Sequence, residues 1–154
     1  MHRPPQPTAR HHVASFQLCL QLTQGLAGAG LLAVQDVEVL LQPEFPPLIR
    51  VPDLSVVPAA LIHTQPRRFI GDQVQLAVEI VSPGSARVDR IMKVADYADA
   101  GIPNYWIVDL DERVSLDAFR LADGRYEPVV QGATGRVHLE HPAMIEIDLD
   151  AVLP

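Results

Sequence analysis

The stretch LAVEIVSPGSARVDRIMKVADYADAGIPNYWIVDL, residues 76–110, decides how this chain folds. It opens on an apolar run, Leu76, Ala77 and Val78 followed by Ile80 and Val81, whose length and composition read as a buried strand. Ser82-Pro83-Gly84-Ser85 is a turn, and Ser85 is placed to cap a helix over residues 86–100 that Gly101 stops, with Pro103 beyond. Asn104-Tyr105-Trp106-Ile107-Val108-Asp109-Leu110 is a further strand. Strand, crossover helix and strand in that order make two parallel strands joined by a right-handed crossover. On the helix Val88, Ile91, Met92, Ala95 and Ala98 share the face expected to pack on the sheet, while Asp89, Lys93 and Tyr97 line a neighbouring stripe at four-residue steps.

Two residues in this stretch look out of place. Glu79 interrupts the buried strand, where an ionised carboxylate is costly unless something pairs with it. Lys93 is the only lysine in a chain that otherwise uses arginine for its strong positive charges, and it follows Glu79 by fourteen residues.

Outward from this unit, residues 11–28 read as an amphipathic helix with Val13, Phe16, Leu20, Thr23 and Ala27 on one face and Leu18, Leu22 and Leu26 beside it, ending in Gly-Ala-Gly. Residues 33–41, AVQDVEVLL, alternate as one half-buried strand with Asp36 and Glu38 on its solvent face. A proline-rich link leads to DLSVVP, a short strand beginning at Asp53 behind Pro52. The remainder, RVSLDAFRL, ADGRYEPVV, GRVHL and MIEIDLDAVL, reads as a meander of short strands joined by Asp-Gly and Thr-Gly turns. The fold class is α/β: a mixed sheet of about five to seven strands with one N-terminal helix and one crossover helix against it. Residues 1–10, with three prolines and two arginines, read as a loose arm before one domain over residues 11–154.

The composition, 48% apolar and 20% charged, is that of a soluble globular protein. Glutamines and glycines break the low-charge stretch 13–34, so it is not a membrane span, and the single Cys19 fits a reducing, cytoplasmic location. A net charge of -7 argues against non-specific binding of nucleic acid as the main task. The imbalance is uneven, however: residues 1–95 hold eight Lys and Arg against seven acids, and residues 96–154 hold four against twelve. A surface for a polyanion is therefore expected on the first half, at Arg67 with Arg68 and Arg87 with Arg90.

Asp53 at the head of one strand, Glu79 inside the next and Lys93 on the following helix form the constellation that carries chemistry. Acids from two adjacent strands, with a main-chain carbonyl such as that of Ile80, suit a hard cation, Mg²⁺ or Mn²⁺ rather than zinc. A nearby lysine would polarise water or steady charge on a phosphate. Taken singly, each residue also has an ordinary reading: Asp53 as a turn residue, Glu79 as the partner of an arginine, Asp89 and Lys93 as a surface ion pair. GLAGAG lacks the strand and acidic residue of a dinucleotide fingerprint, and His63, His138 and His141 lack zinc spacing. His11 and His12 read as polar surface residues, although their place at the start of the helix could put one near the site.

The order along the chain is more specific. Pro52-Asp53 before a strand, Glu79-Ile80-Val81, Ser82-Pro83, Asp89-Arg90, Lys93, Tyr97, Gly101-Ile102-Pro103 and Tyr105-Trp106-Ile107-Val108-Asp109 together resemble the Uma-two type of restriction endonuclease-like family, within the PD-(D/E)XK nuclease superfamily. The resemblance covers most of the chain. It implies a nuclease-like core in which Asp53 and Glu79 hold a divalent metal and activate water for phosphodiester hydrolysis, with nucleic acid, expected to be DNA, as substrate. The lysine usual in that superfamily falls on Val81, and Lys93 stands in the place of one moved to the following helix. Asp89, Tyr97 and Ser82 would support these groups. Cleavage of both strands of a duplex implies a homodimer. Relatives of this type carry an acidic residue before the His-containing helix, and here Met1 leads almost directly to His11, so the start is expected to be truncated or that part lost. The alternative reading is a nuclease fold without catalysis that binds nucleic acid or a regulatory partner.

Overall fold

A computed structural model describes residues 7–82 and 87–154, with the side chains of residues 87–92 left outside that description. Eleven strands and two α-helices follow one another along the described chain. The first helix, α1, spans Ala9–Leu26, and the Thr8 side chain caps it by accepting a hydrogen bond from the His11 N–H. The helix thus begins two residues before the expected boundary. Its buried face is Ala14, Leu18, Leu22 and Leu26, with Ser15. The expected stripe of Val13, Phe16 and Leu20 is instead exposed, by 41%, 55% and 42%. Both stripes are apolar at helical spacing, and the sequence does not say which one faces the sheet.

β1 (Leu31–Gln35), β4 (Leu54–Pro58), β6 (Leu76–Val81), β7 (Asn104–Asp109), β8 (Ser115–Ala122) and β9 (Arg125–Ala133) form the main sheet in the order β1-β4-β6-β7-β8-β9. β6 and β7 are its parallel pair, from Leu76 opposite Asn104 to Val81 opposite Asp109, and the crossover between them carries α2 (Arg87–Asp99). The other pairings of this sheet are antiparallel. The Asp123-Gly124 turn between β8 and β9 has positive φ at both residues, the conformation that Asp-Gly favours in a tight hairpin.

Two departures from the sequence reading matter. Residues 33–41 are not one strand. The chain turns at Asp36, in a left-handed conformation with φ 55°, and β2 (Val39–Gln42) joins β3 (Leu48–Arg50) and β5 (Phe69–Ile70) in a separate three-stranded sheet. The unbroken alternation of the sequence hides this break, since a short-side-chain Asp visits that region at modest cost. At the other end, β8 and β9 extend the main sheet as a hairpin, but β10 (Arg136–Leu139) and β11 (Ile145–Asp148) pair only with each other.

The result is a three-layer arrangement, because successive side chains along a strand point to opposite faces. One core gathers Leu18, Leu22 and Leu26 of α1 and Val137, Leu139, Ile145 and Ile147 of the β10–β11 ribbon against Leu76, Val78, Trp106 and Val108. The other gathers Val39, Leu41, Phe69 and Tyr97 against Ala77, Tyr105 and Ile107. On α2, Tyr97 is fully buried and Ala95 is exposed, while the side chains of Val88, Ile91 and Met92, expected on the packed face, lie outside the described residues. Tyr105 lies between Tyr97 and Tyr126, with ring centroids 5.2 Å and 5.6 Å away, and this aromatic row seats the helix on the sheet.

α1 approaches β11 at Gly25, where an added Cβ would stand 2.4 Å from Ile145 Cδ1 and 2.6 Å from Cγ1. Alanine would gain about 1 kcal/mol of helix propensity, but overpacking a buried contact costs about 1–3 kcal/mol. Gly25→Ala is therefore expected to lower stability by about 1 kcal/mol in urea denaturation, and an unchanged or higher midpoint would show that Ile145 moves aside freely.

Candidate active site

The site follows from one pairing. β4 and β6 run antiparallel with Leu54 opposite Val78, and one further step of that register sets Asp53 across from Glu79. Directly opposed residues on antiparallel strands project from the same face with Cβ atoms about 5 Å apart. Alternation along β6 puts Val78 and Ile80 on the α1 side and Ala77 with Glu79 on the α2 side. The site thus lies at the carboxyl end of β6, the end of parallel strands at which α/β proteins bind ligands.

Asp53 Oδ2 accepts a hydrogen bond from the Ile80 main-chain N–H at 2.7 Å, and its Oδ1 stands 3.1 Å from His11 Nε2. Glu79 is 6% exposed. Its Oε1 accepts the Tyr97 hydroxyl at 2.6 Å, and its Oε2 lies 3.6 Å from Lys93 Nζ. Burial pushes the Glu79 carboxyl up to about 7; Lys93 opposes the rise, and the neighbouring Asp53 adds to it. Burial likewise raises Asp53 above the ordinary carboxylate range, against the pull of the Ile80 N–H and of His11, while Asp36 adds to the rise. Burial and the adjoining Glu79 carboxylate hold the Tyr97 hydroxyl protonated, which keeps it a donor.

Of the residues expected at the site, Asp53, Glu79, Lys93 and Tyr97 are brought together, and Ile80 takes part through its N–H. Lys93 reaches Glu79 from α2. Ser82 is half-buried directly after β6. The side chains of Asp89, Arg87 and Arg90 lie outside the described residues. Arg67 is exposed, and Arg68 pairs with Glu38 at 3.0 Å on the β2 side of the molecule. Val81, in the place of the usual superfamily lysine, is half-buried against the α2-side core.

Two participants were read differently from sequence. His11, taken as a surface residue, is largely buried against Asp53. Asp36, taken as a solvent-face strand residue, donates its N–H to the Asp53 carbonyl at 3.3 Å and adds negative charge beside it. The position of His11 in the first turn of α1 was a signal for the first, but nothing in the alternating pattern marked the turn that brings Asp36 back to Asp53.

A family model described as a putative restriction endonuclease, Uma2, matches residues 2–151. The chain belongs to that family. Among solved structures, a putative nuclease belonging to DUF820 from Anabaena variabilis ATCC 29413 is similar to this Uma2 chain. The TM-score is 0.71 at 15% identity, over 96% of this chain and 82% of that one. The likeness shows that the two share a fold, the mixed α/β arrangement that the sequence led us to expect. Comparison with curated proteins finds no match. No helix among the described residues is long and apolar enough to cross a membrane.

The donor set suits the divalent cation that such nuclease families use. Two carboxylates face each other in a desolvated corner, both raised by burial, which is the electrostatic condition that a divalent cation relieves. Among the described residues no three His, Cys, Asp or Glu side chains already converge as a formed cluster. The two Glu79 oxygens are turned to Tyr97 and Lys93.

The raised Glu79 sets a pH dependence. Between the ordinary glutamate value of 4.5 and about 7 the folded protein keeps a proton that the unfolded chain has lost. The contribution is therefore fully present below the unfolded value and is lost as pH rises through the folded one, by up to about 3 kcal/mol. In metal-free protein the stability of Glu79→Gln relative to wild type is expected to increase from pH 5 to pH 8. Guanidinium denaturation of both at the two pH values checks this, and a pH-independent difference would mean that Glu79 is not held protonated by burial.

Proposed function

We propose that this Uma2 protein is a metal-dependent endonuclease of PD-(D/E)XK type that hydrolyses phosphodiester bonds of DNA, with residues 11–154 as its one domain. The observation that carries this reading is the placement of Asp53 and Glu79 on facing strands, with Lys93 brought to Glu79 from α2. Asp53 and Glu79, with the Ile80 carbonyl, would hold Mg²⁺ or Mn²⁺. The cation, when bound, supplies the Lewis acidity that activates water and offsets charge on the phosphate. Lys93 then stabilises the negative charge that builds on the phosphoryl oxygens as the bond from water to phosphorus forms and the bond to the leaving sugar oxygen breaks. Tyr97 fixes the Glu79 carboxylate through its hydroxyl, Ser82 and Asp89 support the same end of the site, and Arg67, Arg68, Arg87 and Arg90 supply phosphate contacts away from the chemistry.

Duplex cleavage calls for two copies related by a two-fold axis, and we propose a homodimer. The exposed Val13, Phe16 and Leu20 of α1 favour this, since no Asp, Glu, Lys or Arg occurs between Arg10 and Asp36 and interface cores are depleted of charge. The lone free Cys19 suits a cytoplasmic protein.

Two observations favour a second reading, a nuclease fold that binds nucleic acid or a regulatory partner without cutting. Each oxygen of Asp53 and Glu79 already has a protein partner, and the net charge is -7. The two readings part on activity. Purified protein with Mn²⁺ is expected to nick supercoiled plasmid, and Lys93→Ala to lower the rate by about 10² or more with its circular dichroism spectrum unchanged. Cleavage by the variant at the wild-type rate would remove lysine from the mechanism, and no cleavage of plasmid or single-stranded DNA by the wild type would favour the binding module.

A further inference from the structure

His11 stands where neither the Uma2 assignment nor the paired carboxylates require it. It comes from α1, on the opposite face of the sheet from Glu79, and reaches the start of β4 to meet Asp53, with Nε2 3.1 Å from Oδ1. Its side chain is 13% exposed, and its Nδ1 is buried with no hydrogen-bond partner. Through Nε2 the ring is directed at the Asp53 carboxylate. What it adds at this position is a nitrogen donor beside a carboxylate oxygen.

We propose that His11 is a protein ligand of the divalent cation, resting on the reading of Asp53 and Glu79 as its binding site, and that this nitrogen makes the site prefer Mn²⁺ to Mg²⁺. Metal–ligand bonds of about 2.1 Å at right angles separate neighbouring donors by about 3.0 Å. The Nε2 to Oδ1 distance is therefore that of two adjacent donors on one ion. Mg²⁺ favours oxygen donors, whereas imidazole suits the later divalent ions, and affinity for a mixed nitrogen and oxygen site rises from Mn²⁺ onward through the first transition row. His11 would be the third side chain once Glu79 turns from Lys93 toward the ion, and it comes from the layer opposite α2, so that the cation would join both layers of the fold at the end of the sheet.

The test reads the ligand directly. Mn²⁺ is added to the wild-type protein and the bound ion examined by pulsed electron paramagnetic resonance for the ¹⁴N modulation of a coordinated imidazole. The modulation is expected in the wild type, to disappear when the protein is made with [¹⁵N]histidine, and to be absent from His11→Ala. That variant should bind Mn²⁺ at least tenfold more weakly and lose less affinity for Mg²⁺. The label shows that the nitrogen is a histidine's but marks all six histidines, so His11→Gln, which keeps a polar side chain there, serves where His11→Ala fails to fold and is likewise expected to lose the modulation. Bound Mn²⁺ without ¹⁴N modulation in the wild type, or modulation that persists in His11→Ala, overturns the role of His11 while leaving the carboxylate site intact. A wild-type protein that binds no Mn²⁺ overturns both.

Discussion

The antiparallel register of β4 with β6 is the constraint on which the site depends. With Leu54 opposite Val78, Asp53 and Glu79 face each other at the point where β4 begins and β6 ends. A slip of one residue would turn Glu79 to the α1 side of the sheet and separate the pair. The register is held by burial on both faces, since Leu54, Val56, Leu76 and Val78 fill one core while Val57 and Ala77 fill the other. Precision at the acids is thus inherited from two apolar layers that contain no chemistry of their own.

That precision carries an electrostatic cost, and the surroundings of the acids answer it locally. Tyr97 and Lys93 approach Glu79 from α2, while the Ile80 N–H and His11 approach Asp53. The aromatic row from Tyr97 through Tyr105 to Tyr126 fixes the helix that brings Lys93, so packing in the second core and charge compensation at the site are one arrangement. Arg50, paired with Asp96 at 2.7 Å, ties the same helix to β3. Even so, desolvation outweighs these partners and both carboxyls remain raised, which leaves the corner short of positive charge.

Much of this was legible from residue types alone. The strand, helix and strand of residues 76–110 declared the parallel pair, and a carboxylate inside a buried strand, followed by the only lysine, drew attention to the candidate site. The face of α1 was not legible, because its two apolar stripes satisfy the same helical period and only the sheet behind it chooses between them. The break at Asp36 was hidden because alternation passes through the turn undisturbed. His11 was underrated for a related reason: a histidine near a helix start has no pattern of its own, and its significance comes from the start of β4 arriving beside it. Long-range placement, unlike local period, is a property of the assembled layers.

The account rests on the corner between Asp53 and Glu79 being a cation site. Calorimetric titration of Mn²⁺ into the wild-type protein and into Glu79→Ala tests this most directly. Saturable binding by the wild type, lost or at least tenfold weaker in the variant, is what the geometry predicts. Equal binding by both would place the ion elsewhere, and no binding by the wild type would mean that Tyr97, Lys93, His11 and the Ile80 N–H are all the compensation these acids receive.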